Sequence, residues 1–206
     1  MTDSRDDAAD IAWLRNLAAE GASNPMGGGS ILMAAGLIFG VASIVHWSVA
    51  AGLVELAPQA FSILWLGAVV VFLGTLSFLI YRKKQAGGVT TAADRASRAA
   101  WSAVGWGIFA LFSSIAVVAT RIGIESLILL SLAPSIIMVF YGLGWAVSAA
   151  MTRSKMLAGL AAASFVAAPL LALLTDQPAL YLAYAAALFL LMALPGYLLM
   201  RAAKRG

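Results

Sequence analysis

Cysteine is missing from the chain altogether, and histidine occurs once, at His46. The first absence excludes disulfides, thiol nucleophiles and cysteine-held metals, while leaving the compartment open. The second excludes a bis-histidine haem, a two-histidine metal centre and an HExxH zinc site. Charge is scarce as well: Asp, Glu, Lys and Arg make up 11% of the residues, against about a quarter in a soluble domain. No GxxxxGK[ST] loop, no GxSxG turn and no strand-linked glycine fingerprint occurs, so the chain is expected to be non-enzymatic and to carry no cofactor. The opening MTDSRDDAAD sets Asp3, Asp6, Asp7 and Asp10 against Arg5 alone, which is not the basic start of a cleavable signal peptide.

What the chain has instead is hydrocarbon. Apolar residues make up 63% and the mean hydropathy is +0.96. The first long run, from Gly27 to Leu53, carries no Asp, Glu, Lys or Arg between Ser30 and Gly52. About 20 such residues at 1.5 Å each cross a bilayer core of ~30 Å. Five further runs follow. The expected fold is all-α: a polytopic membrane bundle of six spans at about 30–50, 60–81, 99–120, 127–149, 157–174 and 179–200. Short turns pair the spans into three hairpins, 1–2, 3–4 and 5–6. Ile38-Phe39 matches Ile108-Phe109 at a fixed offset that also pairs Ser43 with Ser113, Glu55 with Glu125 and Gly74 with Gly144, a faint sign of hairpin duplication.

Residues 1–29 read as an acidic leader. Within it, residues 10–20 form a short amphipathic helix, with Asp10 as N-cap, Gly21 as stop, and Ile11, Leu14, Leu17 and Ala18 on one face beside Trp13. GASNPMGGG, residues 21–29, is a hinge. A basic tail occupies 201–206.

Inside the spans the informative residues are small, hydroxylic or aromatic. Gly36, Gly40 and Ser43 make a close-packing face on span 1, and Gly159, Ala163 and Ala167 repeat the pattern on span 5. Pro134 is expected to bend span 4, and Pro169 the outer part of span 5. Arg121 and Glu125 have the spacing of a helical ion pair. The candidate ligand or packing site comprises His46, Trp47, Ser113, Ser114, Tyr141 and Trp145. His46 and Trp47 lie near the outer interface, where amphipathic rings are comfortable. The two serines can bond their own helix carbonyls, and Tyr141, near mid-membrane, needs a partner for its hydroxyl.

Most Lys and Arg fall in the 2–3 loop (Arg82, Lys83, Lys84, Arg95, Arg98), the 4–5 loop (Arg153, Lys155) and the tail. The positive-inside rule then makes both termini cytoplasmic, and a bacterial inner membrane is the simplest location. These basic residues flank spans, so they do not argue for nucleic acid. Expected partners are membrane lipids, with a homo-oligomer or a larger membrane complex. The role expected first is a scaffold, accessory subunit or membrane-organising component acting through helix packing. The alternative is a small-solute transporter or channel with a cavity near Ser113, Ser114, Tyr141 and His46.

Overall fold

The computed structural model describes residues 10–13, 28–57, 59–85, 92–122 and 128–203. It contains six long apolar helices: α1 (Gly29–Ala50), α2 (Gln59–Gln85), α3 (Ala92–Ile122), α4 (Ala133–Thr152), α5 (Lys155–Ala172) and α6 (Ala179–Ala203). Each is long and apolar enough to cross a membrane, α4 together with the helical turn Ile128–Ser131 that leads into it. The chain is an integral membrane protein. Residues 10–13 are helical, in agreement with a helix starting at Asp10, and both Ile11 and Trp13 are exposed. The rest of the expected leader helix, the hinge up to Gly27, Pro58, the side chain of Lys84, Glu125 and residues 204–206 lie outside the described residues.

Helices packed on one another run antiparallel. Phe39 of α1 meets Phe72 of α2, while His46 meets Phe61. Trp101 of α3 reaches Ser148 of α4, while Gly107 faces Phe140. Gly29 of α1 faces Leu199 of α6, while Gly40 faces Phe189. This up-and-down course puts Arg82, Arg98, Arg153, Lys155 and Arg201 at one end of the bundle, and Glu55 and Asp176 at the other.

Packing is unequal among the helices. The most extensive contacts are α1 on α6 and α4 on α5, with α3 on α4 and α2 on α1 outside them. The 5–6 hairpin is therefore a hairpin of the chain more than of packing, since α5 and α6 touch only lightly. Glycine explains the α1–α6 pair. A methyl group at Gly36 would overlap the backbone nitrogen of Ala193, and one at Gly196 would come within 2.5 Å of the backbone nitrogen of Met33. Only two bare backbones can approach so closely. The paired positions of the apparent repeat have unlike surroundings: Ser43 is buried and Ser113 exposed, and Gly144 faces a tryptophan where Gly74 faces open space.

The prolines are placed by their missing N–H groups. Pro134 does not bend a continuous helix, as expected from sequence; the helix is broken at Leu132, and Pro134 sits in the first turn of α4, where no intrahelical donor is required. Pro169 lies near the end of α5. Pro195 follows a π-helical segment, Phe189–Ala193, inside α6. It cannot donate to the carbonyl of Leu191, four residues back. The indole N–H of Trp145 donates to that carbonyl instead, at 3.1 Å.

Candidate functional site

The last turns of α1 and the first turns of α2 and α6 bring three rings together around the single histidine. Trp65 Nε1–H donates to His46 Nδ1 at 2.9 Å. The Tyr181 ring stacks on the imidazole with centroids 3.5 Å apart and planes 20° from parallel, and Phe61 lies 4.3 Å away. His46 is half-buried here. Nδ1 is an acceptor in this arrangement, so the neutral ring carries its proton on Nε2. Sequence reasoning found His46 but missed Phe61 and Trp65. Their signal was available: they stand one turn apart on α2, about as far past the 1–2 turn as His46 stands before it. Trp47 is half-buried beside this group and is not one of the rings described against His46.

A second group sits deeper, between α3, α4 and α6. Tyr141, Trp145 and Tyr184 are buried, Trp145 completely. Trp101 lies edge-on to Trp145 at 5.0 Å and 6.1 Å from Tyr141, and it donates to Ser148 Oγ at 3.3 Å. Ser148 in turn donates to the carbonyl of Gly144 at 2.8 Å. Glycines make the room. The Trp101 ring occupies the space a side chain at Gly144 would need, and the Phe165 ring does the same at Gly142. Tyr141 and Tyr184 belong to one buried cluster against which Tyr181 and Trp101 pack, and Tyr184 follows Tyr181 by one turn of α6, so the two groups adjoin. A row of polar and aromatic side chains thus runs from His46 and Tyr181 through Tyr184 and Tyr141 to Trp101 and Ser148.

Two expectations need correction. Ser113 and Ser114 are exposed and join neither group. The inward stripe of α3 is Ser97, Trp101, Val104, Ile108, Leu111, Ile115 and Val118, a repeat of alternating four and three residues, and both serines fall off it. The hydroxyl supplied to this second group is that of Ser148. Likewise, Gly159 and Ala163 are exposed, Ala167 is only half-buried, and nothing lies within 4 Å of a methyl group built on Gly159. The face α5 turns inward is the neighbouring one, Leu157, Ala161, Ser164, Ala168 and Leu171. By contrast, Gly36, Gly40 and Ser43 are buried as a set against α6, and Ser43 donates to the carbonyl of Phe39 at 2.8 Å.

Next to the histidine lies a cleft of about 230 Å³ between the end of α1, the loop after it and the first turns of α2. Its walls are apolar side chains, among them Val45, Leu56, Ala60 and Phe61. Among the described residues, no three His, Cys, Asp or Glu side chains gather as metal ligands. No known family model matches the chain, and it matches no curated protein and no solved structure.

Proposed function

We propose that the chain is a non-enzymatic membrane protein that handles a small uncharged solute of apolar or amphiphilic character, as a transporter or channel. The observation that carries this reading is the row from His46 through Tyr181, Tyr184 and Tyr141 to Ser148. Polar groups inside a membrane bundle are costly, and they mark ligand sites and pathways. The row carries no Asp, Glu, Lys or Arg, which fits an uncharged solute. The π segment of α6 beside Pro195 is a place where the inner half of that helix can shift, since such irregularities concentrate at functional sites. The basic end of the bundle faces the cytoplasm of a bacterial inner membrane, both termini with it, and the His46 end faces outward.

The test is reconstitution of the full chain in liposomes. Osmotic swelling with glycerol and urea probes small solutes, and transbilayer movement of a short-chain fluorescent phospholipid probes amphiphiles. The reading expects at least one rate above that of protein-free liposomes. Equal rates in both assays overturn it.

The scaffold reading draws on a different observation. Helices α2 and α3 each pack mainly on one neighbour and leave most of their length to the surroundings, with Ile63 at 71% and Trp106 at 69% exposure. Lipid covers these surfaces in a lone bundle, and a second copy or another membrane protein covers them in a complex.

A further inference from the structure

The six helices fall into two sets that cut across the order of the chain. Backbones approach closely within α1, α2 and α6, and again within α3, α4 and α5. Between the sets, α5 and α6 touch only lightly. The glycines divide in the same way. Gly29, Gly36, Gly40 and Gly196 tie α1 to α6, while Gly107, Gly142 and Gly144 receive Phe140, Phe165 and Trp101 within the second set. Among the described residues, each pair of packed rings also lies inside one set.

The boundary between the sets is made of bulky side chains. On α6, Tyr181, Phe189, Ala193 and Gly196 meet α1. The neighbouring stripe, Leu180, Tyr184, Leu188 and Met192, is almost wholly buried and shares one cluster with Met138, Tyr141 and Trp145 of α4. These large groups hold the α4 and α6 backbones apart. Of the side-chain hydrogen bonds between described residues, one crosses the boundary, from Trp145 to the carbonyl of Leu191. Backbones locked at glycines move together, whereas a layer of long side chains, with an adaptable methionine on each side, can repack. At the Asp176 end the sets are joined by residues 173–178. This turn is closed by its own backbone bonds, with Asp176 in the left-handed region at φ 63°. A joint this short keeps that end together and leaves the basic end freer.

We propose that the two sets are rigid units that part at the basic end, pivoting near residues 173–178, and that the solute passes between them. The Trp145–Leu191 bond holds the closed form. The row of polar side chains is shared between the units. His46, Tyr181 and Tyr184 belong to one, and Tyr141, Trp101 and Ser148 to the other. Parting the units separates Tyr184 from Tyr141. It also exposes the Leu191 carbonyl, a free backbone acceptor of the kind that lines cavities in broken-helix transporters. Passage of the solute rests on the transport reading above; the motion of the units does not.

Because the chain has no cysteine, pairs of spin labels can be placed on the full-length protein in liposomes. Met151→Cys with Ala202→Cys, both at exposed positions, reads across the boundary. Tyr81→Cys with Ala202→Cys, and Ala99→Cys with Met151→Cys, read within each unit. Pulsed electron paramagnetic resonance is expected to give one distance for each pair within a unit, and a second, longer distance across the boundary. Trp145→Phe should enlarge the longer population and leave both control pairs unmoved. If Trp145→Phe fails to fold, Met192→Ala thins the same layer and should alter the cross-boundary distances instead. A single cross-boundary distance that neither substitution changes overturns the proposal, as does equal broadening of all three pairs. Joining the cross-boundary cysteines with a bismaleimide should bring solute flux down to that of protein-free liposomes, and joining the Ala99→Cys, Met151→Cys pair should not. Flux that persists through the cross-boundary link overturns passage between the units. Two distances without flux in any form remove the transport reading and leave the two units standing.

Discussion

Single residues in this bundle are positioned by the need to satisfy polar atoms where no water is available. Leu191 is the clearest case: Pro195 withholds the N–H its carbonyl would use, and Trp145 provides another. Trp145→Phe keeps most of the ring packing and strands that carbonyl. It is expected to destabilise the protein by ~1–3 kcal/mol, read as a lower unfolding midpoint in detergent, and Pro195→Ala in the same background should restore part of the loss by returning the donor. Ser135 is the opposite case. Its Oγ is buried without a hydrogen-bond partner, so Ser135→Ala should be neutral or stabilising by up to ~1 kcal/mol. A clear loss of stability would show that the hydroxyl has a partner. At His46, Trp65→Phe removes the donor that fixes the tautomer. The ¹⁵N spectrum of the single histidine should change from one tautomer to an averaged pair; an unchanged spectrum would mean that the indole does not set the ring.

Among the elements, two small-residue faces that look alike in sequence behave differently. Gly36 faces the backbone of α6, and Gly159 faces open space. Gly36→Ala should force α1 and α6 apart at a cost of ~1–3 kcal/mol, whereas Gly159→Ala should leave the unfolding midpoint unchanged or raise it. Equal effects at both positions would contradict the observed packing. The number, length and order of the spans were legible because a run of hydrocarbon long enough to cross a bilayer is a strong and local signal. Which face turns inward was not. In water a helix shows its core by contrast between apolar and polar sides, but lipid is as apolar as the core, so Ser113 and Ser148 differ in burial with no difference in their local polarity pattern. The repeat of Trp101, Val104, Ile108 and Leu111 on α3 did carry the answer. Its alternating spacing is the mark of a helix seam, and it excludes Ser113 and Ser114. The partners of Gly36 and Gly40 were not legible at all, because nothing in α1 names α6, more than a hundred residues away in the chain.

The whole molecule has a densely packed interior, formed by α1, α4, α5 and α6, and two flanking helices that lean on it. Its two ends differ in charge, with the basic groups gathered where α2, α4 and α6 end and the ring cluster placed at the opposite end. The absence of cysteine makes this polarity easy to examine. A single cysteine replacing Gln177 should react with an impermeant maleimide added outside intact bacterial cells, and one replacing Ala202 should react only after lysis. The reverse pattern would turn the proposed orientation over. The central claim concerns the row that joins the two ends through the interior. Its most direct test is the rate of solute entry into liposomes for three forms: the native chain, Tyr184→Phe, and the Ser113→Ala, Ser114→Ala pair. The account predicts that the native chain exceeds protein-free liposomes, that loss of the Tyr184 hydroxyl changes the rate, and that loss of the two exposed serine hydroxyls does not. A native rate equal to that of empty liposomes, or a change confined to the serine pair, would contradict it.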